Sequence, residues 1–131
     1  MPIREYSSGA GARVLILDGI SDEALAVLDR LHKSAPRDHK KLVAYFSRLA
    51  DYGPVAYRRP WFKKLEDAED LHQLSYSRHR FLMVPHPRVD RTYVLLNYFA
   101  KSSDDTPPHE VRKGLQLRKA CLQMLESEEM K

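Results

Sequence analysis

Several things are scarce in this chain. A single cysteine, Cys121, rules out an internal disulfide and gives no basis for a metal–thiolate site; set among leucines late in the chain, it reads as a buried structural thiol. No apolar run approaches the roughly 18 residues that a membrane span needs. The opening stretch, "MPIREYSSGAGARVLILDG", has no positively charged head followed by a long apolar segment and a cleavage site, so the protein is expected in the cytoplasm and away from membranes. No internal repeat or low-complexity linker divides it.

What is present suits a folded protein. The 131 residues are 43% hydrophobic and 31% charged, with seven Tyr, four Phe and one Trp, enough for one core within the usual domain range. The net charge of +4 is uneven. Residues 1–52 carry eight Lys/Arg against seven Asp/Glu, residues 53–101 nine against five, and residues 102–131 five against six. The excess therefore sits in the middle, where it suits a polyanion whose counterions are released on binding, or simply a solvated basic face.

Residues 1–11, with two glycines and two serines, read as a flexible leader. "RVLIL" (Arg13–Leu17) is a short apolar, partly β-branched strand turning at Asp18-Gly19. Ser21 is placed to cap a helix with Asp22 and Glu23 in its first turn and Leu25, Leu28 and Leu31 as its stripe. After the break at "SAP", a second helix fits Arg37–Tyr52, with Leu42, Val43, Phe46, Leu49 and Ala50 at spacings of three and four and a stop at Gly53-Pro54. So short a link predicts an antiparallel helical hairpin.

The period then changes. Leu71–Ser77, Arg80–Val84 and Thr92–Ala100 read as a three-stranded antiparallel meander separated by turn residues. The third strand is apolar on both sides, and strict alternation puts Tyr93, Leu95 and Phe99 on one face and Val94, Leu96 and Tyr98 on the other, with Asn97 the one amide. Thr106 is a good N-cap before Pro107 and Pro108, and the helix that follows carries Val111, Leu115, Leu117, Cys121, Leu122 and Leu125 toward the sheet. The order is strand, helix, helix, three strands, helix: an α+β fold over residues 12–126, with 127–131 as a tail.

"LLNYFAKSSDDTPPHE" joins an apolar strand to Phe-x-Lys, a short polar link and Thr-Pro-x-x-Glu at the head of a helix with basic residues in its middle. This junction resembles the RelE/HigB superfamily of toxins, and most of all its phage-derived HigB-like branch; the matching positions are Leu95, Leu96, Asn97, Phe99, Lys101, Thr106, Pro107 and Glu110. Upstream, "LHQLSYSRHRFLMV" is similar to the family's two preceding strands, with Leu71 and Leu74 on its leucines and Arg80 on its arginine.

The resemblance implies a RelE-like fold with an N-terminal strand, a two-helix hairpin, a three-stranded meander and a C-terminal helix. It implies a toxin of a type II toxin–antitoxin pair, cleaving mRNA, on the ribosome in many members, without metal or other cofactor, and neutralised by an antitoxin with a helix-turn-helix domain. In such a reaction a 2′-hydroxyl attacks the adjacent phosphate, which needs proton-transfer groups and cations for the phosphorane. Arg80 and Lys101 are the carried-over phosphate contacts, with Tyr98 and His79 as proton-transfer groups; core packing is the competing reading of Tyr98.

"YRRPWFKK" (Tyr57–Lys64) interleaves cations and rings. Arg58, Arg59, Trp61, Lys63 and Lys64, together with Arg78, form an expected RNA-binding set, unless Trp61 and Phe62 plug the core while the charges are solvated. His72, His79 and His86 lie seven apart, a spacing that alternates faces on strands, and no HExxH accompanies them, so no metal site is expected. Ser75, Asn97 and Ser102 stand where the family has an arginine, a histidine and a second lysine. They motivate a second reading, a non-catalytic RelE-fold protein that binds a protein or nucleic acid. A third, inhibition of a DNA topoisomerase as in the ParE branch, fits the Thr-Pro-x-x-Glu helix less well.

Overall fold

A computed structural model describes residues 3–53, 59–66, 68–101 and 107–129. Strands β1 (Ile3–Ser8) and β2 (Arg13–Leu17) lead to helices α1 (Asp22–Ser34) and α2 (Pro36–Tyr52). Strands β3 (Phe62–Lys64), β4 (His72–Tyr76), β5 (His79–Pro85) and β6 (Thr92–Ala100) follow, and α3 (Pro108–Glu129) ends the order. Among the described residues the fold is α+β, with three helices and a six-stranded mixed sheet in the order β1-β2-β6-β5-β4-β3. β2 and β6 run parallel and every other neighbouring pair is antiparallel.

The two helical layers explain the strand compositions. Residues 14–17 of β2 are all buried, because α1 and α2 cover one face of the sheet and α3 covers the other. On the hairpin side the core joins Phe46 and Leu49 of α2 to Phe62, Phe81, Met83 and Leu95, and on the α3 side it joins Cys121 and Leu125 of α3 to Leu71, Leu82, Val84 and Leu96. No helix among the described residues is long and apolar enough to cross a membrane.

Two helix ends are tied to distant parts of the fold. Ser21 precedes α1, but its hydroxyl makes no capping bond. It instead accepts from the Leu17 amide at 3.0 Å and donates to the Leu95 carbonyl at 2.5 Å, so it ties β2 to β6. At the far end of α2 the Ala50 carbonyl accepts from the amides of Gly11 and Ala12 at 2.8 and 2.6 Å. Gly53 sits at φ 62°, and a Cβ there would lie 2.4 Å from the Gly11 carbonyl oxygen, so this close approach requires glycine.

Several sequence expectations change. The stretch 1–11, expected as a leader, contains β1, which pairs with β2 and lays Tyr6 edge-on to Phe46. The apolar stripe of α1 is Ala24, Val27, Leu28 and Leu31, with Leu25 only half-buried, and Val43 of α2 is exposed. β3 adds a fourth antiparallel strand beside β4. α3 continues to Glu129, into the expected tail, whereas Thr106, expected as its cap, lies outside the described residues.

The largest correction concerns β6. Phe81 pairs with Tyr98 and Met83 with Leu95, so two steps along β5 match three along β6. This bulge breaks strict alternation: Tyr93, Leu95 and Tyr98 share the hairpin face, and Leu96 and Phe99 share the α3 face. Asn97 joins the α3 face, where its Oδ1 would lie 3.4 Å from a Cβ on Gly114. Without the bulge, Tyr98 would point into α3 rather than toward the hairpin.

Candidate functional site

The open end of the sheet, where β4 turns into β5 and β6 ends, collects the polar chemistry of the hairpin face. Tyr76 and His79 are paired across a two-residue turn, with Ser77 at φ 53°, and the Lys101 amide donates to the Arg78 carbonyl at 2.7 Å, closing the end of β6 onto that turn. His79 is 6% exposed, which is low for a histidine at the mouth of a sheet. Its burial follows from two partners. Nδ1 lies 2.8 Å from the Tyr98 hydroxyl, and Nε2 lies 2.9 Å from Oδ2 of Asp38, in the first turn of α2.

The carboxylate of Asp38 only accepts, so Nε2–H of His79 donates to it, and when the ring carries that one proton its Nδ1 accepts from the Tyr98 O–H. The result is a directed chain, Tyr98 to His79 to Asp38, of the kind that orients an imidazole as a proton acceptor. Burial raises the Tyr98 pKa above the usual phenol value, against the opposing pull of Arg30 and Arg78. Tyr98 is therefore protonated at neutral pH, with two guanidiniums in its field.

Tyr98 also forms part of the wall of a groove of about 530 Å³ between α1 and the start of α3, lined among others by Glu23, Arg30, His109, Glu110 and Lys113. Glu23 pairs with Lys113 across it. Arg30 has no carboxylate partner among the described residues; it lines the groove and its charge acts on Tyr98. The arrangement can accept a proton at Tyr98 and hold an anionic group beside it.

Of the residues expected from sequence, His79, Tyr98, Arg78 and Lys101 gather at this end. Arg80 does not share their face. It lies opposite Phe99 on the α3 side of β5, and its Nη1 donates to the carbonyls of Ser77 at 2.6 Å and His79 at 2.9 Å. Burial lowers its pKa from the ordinary guanidinium value. Arg80 thus braces the β4–β5 turn, and a role on the same phosphate as Tyr98 is not what this geometry offers.

The basic aromatic stretch divides. Arg58 lies outside the described residues. Phe62 is fully buried in the hairpin core, whereas Trp61 is half-buried and stacks on Tyr45 at 5.3 Å with an 11° tilt. Arg59 lies 5.3 Å over the Tyr52 ring, and Lys63 and Lys64 are exposed on the edge strand β3. The three histidines also separate. His72 is buried against Phe62 with Nδ1 2.6 Å from the Asp70 carbonyl, while His86 Nδ1 accepts from the amides of Arg88 and Val89. Among the described residues no group of three or more His, Cys, Asp or Glu is placed to hold a metal ion.

Compared with known proteins, the chain matches no family model and no curated sequence. The site therefore rests on its own geometry. Its two members missed in the sequence, Asp38 and Arg30, carried no local signal: Asp38 is 41 residues from His79 and looks like an ordinary first-turn acid. The positions that depart from the toxin pattern fare differently. Ser75 accepts from Gln73 Nε2 at 3.2 Å, Ser102 lies outside the described residues, and Asn97 is fully buried with neither amide atom hydrogen-bonded among the described residues.

Proposed function

We propose that this protein is the toxin of a type II toxin–antitoxin pair: a metal-independent RNA endonuclease of RelE-like fold that cleaves ribosome-bound mRNA and is neutralised by a small helix-turn-helix antitoxin. The observation that carries the reading is the Tyr98–His79–Asp38 chain beside Arg30 and Arg78. The element order is compatible with it: two strands, a helical hairpin, four further strands and a closing helix.

In this mechanism the 2′-oxygen attacks the adjacent phosphorus. Its proton passes to the Tyr98 oxygen as the phenol proton moves to His79 Nδ1, and Asp38 holds the resulting imidazolium. As the bond from phosphorus to the 5′-oxygen breaks, the proton returns along the same chain to the leaving oxygen. The products are a 2′,3′-cyclic phosphate and a 5′-hydroxyl, with no net proton change. Arg30, Arg78 and Lys101 offset the phosphorane charge, which guanidiniums do at any physiological pH.

The test is expression without a partner. Growth should arrest and transcripts shorten, and Tyr98→Phe or His79→Gln should abolish both while the purified variants retain the native circular dichroism spectrum. Normal growth with intact mRNA at high protein levels sinks the reading. In that event the second reading stands, a non-catalytic RelE-fold protein binding a protein or nucleic acid; it is favoured by Asn97, sealed in the core where the family has a titratable histidine. Lys101→Ala separates the two, since an enzyme loses cleavage there and a binder has none to lose.

A further inference from the structure

One face of α2 carries Asp38, Lys41, Tyr45, Arg48 and Tyr52, at spacings of three and four that put them in a single row. The row begins at the relay and runs along the sheet edge toward β3. Beside it the rings form a connected series. His79 and Tyr76 lie 6.5 Å apart and nearly parallel, Tyr76 meets Tyr45 edge-on at 5.4 Å, and Tyr45 stacks on Trp61 at 5.3 Å.

These rings differ from the core aromatics. Phe46, Phe62 and Phe81 are fully buried, whereas Tyr45, Trp61 and Tyr76 are each left partly exposed. Arg48 sits 5.3 Å over the Tyr45 ring and Arg59 5.3 Å over Tyr52. Both guanidiniums are exposed, and neither they nor Arg78 has a carboxylate partner among the described residues. Tyr45 is engaged by both Trp61 and Arg48, so a base would stack on the face of Trp61 turned from Tyr45 or the face of Tyr76 turned from His79, while the unneutralised arginines meet the phosphates of an unpaired strand. A protein partner fits less well, since an acidic peptide gives the rings nothing to stack on.

We propose that the row formed by Tyr76, Tyr45 and Trp61, flanked by Arg78, Arg48 and Arg59, is a track for single-stranded RNA that holds the nucleotides next to the position at Tyr98. This deepens the reading above and rests on it for the choice of RNA, but binding along the track does not require cleavage. Duplex RNA is excluded from it, because paired bases cannot turn their faces to the rings.

Trp61 is the only tryptophan, so its fluorescence reports on the track directly. The full chain is titrated with a single-stranded 2′-O-methyl oligouridylate, which has no 2′-hydroxyl to attack and needs neither ribosome nor cell. Saturable quenching is expected, with affinity falling steeply as salt rises. Arg48→Glu with Arg59→Glu should weaken binding by at least ~10-fold, whereas Arg112→Glu with Lys119→Glu, an equal charge change on exposed positions of α3, should change it less than ~2-fold. Tyr76→Leu should weaken binding by roughly 5-fold or more, as removal of a stacking ring does.

Circular dichroism checks that each variant is folded, and Arg48→Gln with Arg59→Gln, which should also weaken binding, replaces the Glu pair if that pair unfolds. The track is overturned by an absence of quenching at low salt, by equal losses from the two charge-reversed pairs, or by a duplex that binds as tightly as the single strand. A cleavage-dead but oligonucleotide-binding protein would overturn the endonuclease and leave the track in place. Cleavage with no binding along α2 would do the reverse.

Discussion

The two faces of the sheet are built from different materials. Beneath the helical hairpin the packing is aromatic, with Phe46 edge-on to Phe81 at 5.5 Å and Phe81 against Tyr98 at 5.1 Å, and the polar groups at its open end are joined in one hydrogen-bonded chain. Beneath α3 the packing is mainly aliphatic, with Phe99 as its one buried aromatic among the described residues, and of the amides buried there, Gln73 and Asn97, Asn97 has no partner among the described residues. Charge does not divide so cleanly. On α3 Lys113 is paired with Glu23 and Arg118 with Asp70, while the exposed Arg112 and Lys119, like Arg30, Arg48, Arg59 and Arg78 on the hairpin side, have no carboxylate partner among the described residues. A count of cations therefore says little about which of them a polyanion can reach; the tertiary pairing decides it.

The sharpest way to break this comparison uses neighbours on β5. Phe81→Ala should remove about 3–5 kcal/mol of stability and, because the ring supports Tyr98, disturb the relay as well. Leu82→Ala, one residue on and facing α3, should remove about 2–5 kcal/mol and leave the His79–Tyr98 contact intact. Urea unfolding with imidazole NMR on each variant measures both, and a Leu82 variant that perturbs His79 more than the Phe81 variant would erase the distinction. Next in size, if the proposed endonuclease reading holds, Tyr98→Phe should lower RNA cleavage by about 10²–10⁴-fold while costing only about 1 kcal/mol in stability.

Replacing the orphaned amide works in the opposite direction. Asn97→Val suits a strand and should stabilise the protein by about 1–2 kcal/mol, since two unsatisfied polar atoms leave the core. A loss of stability would mean that the amide is hydrogen-bonded in solution. A smaller effect concerns pH. Burial lowers the His72 pKa below the usual imidazole value of 6.5, so the folded state disfavours its protonation. The contribution is fully present above pH 6.5 and is lost as pH falls through the lowered value; the urea midpoint should drop between pH 7.5 and 5, and less so in His72→Gln. Smallest of all, burial raises the Cys121 thiol to about 11, so at pH 8 it should react with thiol reagents far more slowly in native than in urea-unfolded protein.

Much of the architecture was legible locally. The period of 3.6 in α2, the stop at Gly53 and the apolar run of β6 gave element types and near-correct bounds, because each is a property of a few consecutive side chains. β1 and β3 were not legible as strands. "IREYSS" has little alternation and "FKK" is three residues long, and both become strands only because β2 and β4 offer them backbone partners.

For the site, His79, Tyr98 and Arg78 were visible as residue types in the right neighbourhood, but their roles were not. The bulge opposite Phe81 and Met83 turns Tyr98 to the hairpin face, and Arg80, chosen from sequence, falls on the other. Composition and periodicity fixed that this chain would fold as helices over a sheet with a basic middle. Only the packing of α2 across the sheet decided that Asp38, 41 residues away, would hold His79, and that Tyr45 would meet Trp61 beside unpaired arginines. The physical reason is range. Periodicity records which side of its own element a residue buries, whereas a hydrogen bond between distant elements depends on where the whole core sets them down.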